Sequence, residues 1–236
     1  EPSESRYKIG ETLLSSREGQ IITGHGIHSV LEMLEDATTI IQASHDDFSA
    51  RFLHLIPSSV KTSTFTGFGA YASGCDRPTF ENIFVSGGRS GGLGFSNVNG
   101  GRIAHTRHFL SSVSPSDDHT MMGCDVALYR SCNDCLIDDV RSVSGIGMTV
   151  NIQTAVLTEE KSNGNTISNV YSKNQSAYAI SLYVSDKTKQ EMLGTTIINP
   201  MIDGVTGSIT NTITNNRSYG AGIYVQGAEH TTIIGG

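Results

Sequence analysis

One pattern recurs along this chain and limits what it can become: a central apolar residue, most often isoleucine, set among polar or β-branched neighbours. It appears as Asn82-Ile83-Phe84-Val85, Arg102-Ile103-Ala104-His105, Leu136-Ile137-Asp138-Asp139, Thr166-Ile167-Ser168-Asn169, Thr196-Ile197-Ile198-Asn199 and Thr232-Ile233-Ile234-Gly235. A second kind of segment alternates with it: Leu93-Gly94-Phe95, Val126-Ala127-Leu128-Tyr129, Ile146-Gly147-Met148-Thr149, Ile180-Ser181-Leu182-Tyr183 and Ala221-Gly222-Ile223-Tyr224. The alternation repeats every ~20 to 40 residues with Gly, Asn and Ser at the joints, which is the signature of a solenoid. Strands this short cannot bury an apolar face alone, so each must stack on the coil below. The expected inward columns are Phe95, Leu128, Met148, Leu182 and Ile223 on one sheet, and Ile83, Ile103, Ile137, Ile167, Ile197 and Ile233 on another. No segment sustains a helical i, i+3, i+4, i+7 pattern, and only the stretch near residues 28–36 admits a helix. The chain reads as a single all-β domain over 1–236, with opening coils over 1–88 and further coils carrying long loop insertions over 89–236.

Composition excludes several function classes. With 16 Lys+Arg against 23 Asp+Glu and a net charge of −7, the chain lacks the basic cluster that phosphate neutralisation requires, so no nucleic-acid partner is expected. No apolar run approaches the ~20 residues of a membrane-spanning helix, and no membrane insertion is expected. Cys75, Cys124, Cys132 and Cys135 include one C-x-x-C, but there is no second pair at zinc spacing and no redox context. They read as buried, reduced thiols, although spacing alone leaves disulfides open. The glycine pair in Ile22-Thr23-Gly24-His25-Gly26 resembles a nucleotide loop only superficially: no capped helix follows it, and the glycines read instead as letting the backbone turn tightly between two short strands.

The order Tyr7-x-Ile9, Leu13-Leu14-Ser15, Gly19-x-Ile21-Ile22-x-Gly24-x-Gly26-x-x-Ser29-Val30-Leu31, Asp36-x-x-Thr39 and Phe80-Glu81-Asn82-Ile83-x-Val85-x-Gly87-Gly88 resembles the opening coils of pectate-lyase-like right-handed parallel β-helices. It is similar in particular to those of bacteriophage tailspike depolymerases. The resemblance implies a single-stranded right-handed parallel β-helix. It also implies a polysaccharide depolymerase that cleaves a bacterial surface glycan (capsule, O-antigen or exopolysaccharide), assembled as a homotrimer on a virion tail or otherwise extracellular. Such proteins carry a helix and a strand upstream of the matching region, and the last residues, His230 to Gly236, stop in mid-coil. Both ends therefore read as those of a fragment lacking its caps. The other reading is a non-catalytic glycan-binding or structural β-helix, since this fold hosts many chemistries.

Chemistry must then sit on outward residues and inserted loops. Tyr129, Tyr183 and Tyr224, two residues beyond a strip of small residues, are read as one row on which sugar rings stack. The loops 153–164 and 185–194 are expected side by side on consecutive coils; they carry Glu159, Glu160, Lys161 and Lys187, while Asp117, Asp118 and His119 lie in the loop 110–123. Glycoside hydrolysis needs two carboxyls ~5–9.5 Å apart. Asp118 with Glu159 or Glu160 is the leading choice, with Asp117 in reserve; these loops leave different corners and would meet across a subunit boundary. His119 and Lys187 are further substrate contacts. A lyase would use a cation or Ca²⁺ at a uronate carboxylate, but no aspartate cluster has calcium spacing, so no metal or cofactor is expected and hydrolysis ranks above β-elimination. His105, Asp139, Asn169 and Asn199 share one strand position and read as a stacked polar ladder, with Arg107 and Arg141 placed to pair with Asp139 or to face an acidic glycan.

Overall fold

The computed structural model describes residues 5–34, 39–57, 68–87, 91–109, 124–144, 147–154, 159–175, 178–205, 209–210, 218–219 and 221–236. The chain winds into a parallel β-solenoid with two long sheets. The first, of 12 strands, is built on Ser29–Met33, Ser49–Ile56, Thr79–Ser86, Arg102–Phe109 and Leu136–Val143, and continues through the paired short strands Thr166–Ser168 and Tyr171–Gln175, then Thr196–Ile198 and Met201–Val205. The second, of 8 strands, runs through Phe68–Ser73, Gly91–Ser96, Cys124–Tyr129, Met148–Thr154, Tyr178–Val184 and Ala221–Gln226. Every ladder in both sheets is parallel, and consecutive strands of a sheet are one coil apart in sequence. Parallel crossovers of twisted strands are right-handed, which gives the solenoid its hand.

The isoleucine column forms as the sequence dictates. Ile103 pairs with Ile137, Ile137 with Ile167, Ile167 with Ile197 and Ile197 with Ile233. The first four are 0% exposed, and each contributes about 1.5–3 kcal/mol of apolar burial. Below Ile103 the column passes to Phe80 and Ala50 instead of Ile83, which pairs with Leu53 and lies in a neighbouring column.

On the second sheet Leu128 is in register with Phe95, Ile152 and Leu182, and Leu182 with Val225. Met148 is therefore not in the core column: it lines up with Cys124 and Tyr178 in a separate apolar cluster with Phe68 and Ala127, whereas Ile223 stands beside Ile180 in the other inward column. Each strand of this sheet presents two inward apolar positions, and alternation alone cannot choose between them. The stretch that admitted a helix is a single 3-10 turn, Gly26–His28, followed by the strand Ser29–Met33.

Two ladders of stacked side chains run along the solenoid, one at a corner and one within a sheet. At the turn from the second sheet to the first, Asn99 Nδ2 donates to Asp76 Oδ1 at 3.0 Å and Asn133 Nδ2 to Asn99 Oδ1 at 3.1 Å. Asn133 Oδ1 in turn accepts the Asn163 N–H at 2.9 Å, and Asn163 Oδ1 the Leu193 N–H at 2.9 Å. The second ladder lies within the first sheet, where Phe52, Asn82, His105, Asp139, Asn169 and Asn199 occupy one position per coil, all at positive φ. Asn, Asp and His tolerate this conformation because a short polar side chain can bond locally, whereas a bulky residue costs about 1–2 kcal/mol there.

A polar seam runs through the interior where the two sheets face each other. Asp125 Oδ2 accepts a hydrogen bond from the Ser142 hydroxyl, which itself accepts one from Gln175 Nε2 at 2.5 Å, and Thr149 Oγ1 meets Ser172 Oγ at 2.8 Å. His108, on the strand adjoining Ser142, contacts Thr106 Oγ1 through Nε2 at 3.1 Å, and its Nδ1 has no hydrogen-bond partner among the described residues. Burial pushes the Asp125 carboxyl up to about 7; the His108 imidazole is pushed down to about 3, by burial first and the Arg107 charge second.

Candidate functional site

The outer face of the first sheet carries a row of charged and aromatic side chains, one per coil. Strand alternation sends Ile103, Thr106 and His108 inward and leaves His105, Arg107 and Phe109 facing out. The positive-φ position shifts the alternation by one residue, so that Asp138 and Asp139 are both outward on the next coil. Stacked register then builds a continuous row: His54 beside Phe84, Phe84 beside Arg107, Arg107 beside Arg141, Arg141 beside Tyr171, and Tyr171 beside Met201. The His54 and Phe84 rings lie 4.6 Å apart, and His54 Nε2 is 2.6 Å from Ser86 Oγ.

Asp139 is the hub of this strip. Its Oδ2 lies 3.1 Å from His105 Nδ1 and accepts from Arg107 Nη2 at 3.2 Å, while Oδ1 is 3.4 Å from Arg141 Nε. Arg107 Nη1 also donates to the Asp139 carbonyl at 3.1 Å, fixing the guanidinium plane. Burial alone would raise the Asp139 carboxyl; hydrogen bonds from His105 and Arg107 and the charges of Arg107 and Arg141 outweigh it and hold the group below the usual range. Asp138 is also lowered, burial being overcome by donation from Ser168 Oγ at 2.6 Å and Asn169 Nδ2 at 2.9 Å. Both carboxyls are therefore ionised near neutrality, and neither can serve as a general acid there. His105 meets the carboxylate through Nδ1, which leaves Nε2 on the far side of the ring. Next to the hub, Lys173 Nζ reaches Asp203 Oδ2 at 3.2 Å and Arg102 Nη2 reaches Glu81 Oε1 at 3.3 Å. The strip can bind a chain of hydroxyls and carboxylates through guanidinium and ammonium groups, with Phe84 and Tyr171 supplying apolar faces.

The residues singled out from the sequence are distributed differently. Asp117, Asp118 and His119 lie outside the described residues. The strand Glu160–Lys161 pairs in parallel with Gln190–Glu191, so the two loops do sit on consecutive coils. Glu159 is exposed and Glu160 is only 4% exposed, so one of this pair faces solvent; Lys187 is exposed.

Tyr129 and Tyr183 share a row with Gln153 between them, but Tyr224 stands one row away, beside Ser181. The strip of small residues is closed over: Ala127, Asn151 and Ser181 are 0%, 2% and 3% exposed. Tyr129 is spent on packing against Phe68, centroids 6.2 Å apart, with its hydroxyl 3.2 Å from Cys124 Sγ, and Tyr224 stacks on Tyr178 at 4.8 Å. All four cysteines are free and buried. Arg107 and Arg141 do pair with Asp139. The strip as a whole escapes a sequence reading because its members are ~30 residues apart and meet only once the register is known.

Among the described residues, no group of three or more His, Cys, Asp or Glu is placed to hold a metal ion, and no helix is long and apolar enough to cross a membrane.

No protein-family model matches the chain, and no curated protein matches it in sequence. Solved structures do. ORF18 of Geobacillus virus E2 is 8% identical with a TM-score of 0.58, over 97% of this chain and 52% of that one. The A-module of a mannuronan C-5 epimerase of Azotobacter vinelandii is 11% identical with a TM-score of 0.46, over 96% and 88%. The catalytic domain of a GH87 alpha-1,3-glucanase in complex with nigerose is 9% identical with a TM-score of 0.42, over 98% and 60%. The chain thus spans about half the length of the phage protein. With every ladder of its two long sheets parallel, and a phage protein matching it across nearly its full length, the chain is a right-handed parallel β-helix.

Proposed function

We propose that the chain binds and cleaves a bacterial surface polysaccharide, with the glycan lying on the outer face of the first sheet. The observation that carries this reading is the row Phe84, Arg107, Arg141 and Tyr171 with its Asp139 hub: apolar faces and charged donors on a rigid scaffold, one residue per coil. Cleavage is assigned to hydrolysis by carboxylates of the inserted loops, Asp118 or Asp117 with Glu159 or Glu160. The loop 110–123 follows Phe109 at one edge of the first sheet, and Glu159 precedes Thr166 at the other. The strand between their anchors spans ~26 Å, and the approach of Asp118 to Glu159 or Glu160 within the ~9.5 Å of a hydrolytic pair is assigned to the boundary between subunits of a homotrimer, as on a phage tailspike. The fold shared with a virus protein supports a virion or extracellular location. Tyr183, half-buried beside Gln153, the exposed Lys187 and His119 are assigned as flanking contacts, whereas Tyr129 and Tyr224, engaged with Phe68 and Tyr178, are not.

A binding-only role is the second reading, and one observation favours it: both outward carboxyls of the strip, Asp138 and Asp139, are held ionised, and the carboxyl pushed upward, Asp125, is sealed in the interior. The test is incubation with a panel of capsular, O-antigen and exopolysaccharides, with products read by mass. Fragments carrying added water support hydrolysis. Fragments with an unsaturated end overturn it in favour of β-elimination, and binding without fragments overturns cleavage.

A further inference from the structure

Of the positive-φ positions in the first-sheet ladder, one is occupied against the chemical logic of the rest. Asn82, His105, Asp139, Asn169, Asn199 and Gly235 fill the other coils, but the first holds Phe52, at φ 54. A phenyl side chain has no local hydrogen bond to offer in that conformation and clashes with its own backbone. Burial does not supply the compensation, because Phe52 is 45% exposed. Strain of this kind persists where the side chain is needed for something other than folding.

The surroundings say what that is. Glycine at position 24 lets the neighbouring coil pass close beneath, since a Cβ there would lie 2.5 Å from the Phe52 carbonyl oxygen. The chain then leaves the sheet in the turn Gly26–His28 and rejoins it at Ser29, so Phe52 lies where the neighbouring coil is interrupted, in line with Asn82 on the following coil. Flanking it on the strand and its neighbour are the Arg51 guanidinium and the Glu81 carboxylate, 3.9 Å apart. An exposed aromatic ring on the strand position next to Arg51, with Glu81 and Asn82 at the matching positions of the following coil, suits a pyranose, whose C–H face stacks on a ring while its hydroxyls bond at the edge.

We infer that Phe52 is a sugar-stacking platform at the end of the strip, binding one pyranose unit of the glycan; this rests on the polysaccharide-binding reading above. The experiment measures affinity of the purified chain for whichever polysaccharide of the panel it binds, comparing the parent with Phe52→Asn and Phe52→Tyr. Asparagine suits the backbone conformation, so the variant keeps its fold, read as a melting temperature within a few degrees of the parent. Phe52→Asn should weaken binding roughly tenfold, in line with the loss of one aromatic stack, and Phe52→Tyr should retain it. Unchanged affinity in Phe52→Asn overturns the platform while leaving the wider reading intact. An altered oligomeric state in that variant overturns it in favour of a subunit contact, and a parent that binds no polysaccharide overturns both.

Discussion

Neutralising Asp125 should unmask a pH dependence that the parent protein conceals. Asp125 and His108 are both sealed in the interior, and their shifts oppose each other in sign. The Asp125 carboxyl rises from 3.8 to about 7, so its contribution to stability is fully present below pH 3.8 and is lost as pH rises through 7. The His108 imidazole falls from 6.5 to about 3, so its contribution is present above pH 6.5 and is lost as pH falls toward 3. At 1.36 kcal/mol per pH unit the two limits are about 4 and about 5 kcal/mol, upper bounds because local opening admits water. Between pH 4 and 6.5 the slopes cancel, and the parent should hold its urea midpoint nearly constant. Asp125→Asn leaves only the histidine, so stability should climb by up to about 3 kcal/mol across that window; His108→Gln leaves only the carboxyl, and stability should decline by a similar amount. Carboxylates lowered on the surface, such as Asp139, titrate alike in all three proteins and drop out of the comparison. Urea unfolding at four pH values supplies the test. Parallel curves for the parent and Asp125→Asn would refute the reasoning.

Ile137→Ala, at a fully buried position stacked between Ile103 and Ile167, should cost about 2–5 kcal/mol by urea denaturation. Asn133→Ala removes the side-chain bonds to Asn99 and to the Asn163 backbone, and should cost about 1–3 kcal/mol with the circular-dichroism spectrum preserved. On a polysaccharide that the parent cleaves, Glu159→Gln should lower the rate at least about a hundredfold without shifting the melting temperature, whereas full activity would remove Glu159 from the chemistry.

The fold was legible where one residue type repeats at one depth. From Ile103 to Ile233 the β-branched column needs no further information, because only a stacked inward position explains the same residue once per coil. The opening coils were misread at Ile83, since Phe80 and Ala50 fill the same column with a large and a small residue and the volume balances across coils instead of repeating. On the second sheet the register is continuous but the inward alternation breaks near the start of each strand, where Asp125 and Thr149 are buried next to Val126 and Val150, and this break defeats the simple alternation that placed Met148. The candidate site was legible only in pieces. The pairing of Arg107 and Arg141 with Asp139 could be anticipated from their offset on one strand position. Phe84 and Tyr171 could not, because nothing local distinguishes an outward aromatic from an inward one until the positive-φ shift is known. The turn ladder through Asp76, Asn99, Asn133 and Asn163 was likewise missed, although an Asn or Asp just ahead of each first-sheet strand marks it in the sequence.

The glycan face can be located with one measurement: the affinity of an Arg107→Gln, Arg141→Gln double variant for a polysaccharide that the parent binds, read by titration calorimetry beside Tyr183→Ala. Both arginines are partly exposed and their loss should leave the melting temperature within a few degrees. If the glycan lies on the first sheet, the double variant should bind at least about tenfold more weakly, since charge-assisted hydrogen bonds are lost, while Tyr183→Ala changes affinity far less. Undiminished binding in the double variant, with loss in Tyr183→Ala, would place the glycan on the second sheet and contradict the assignment.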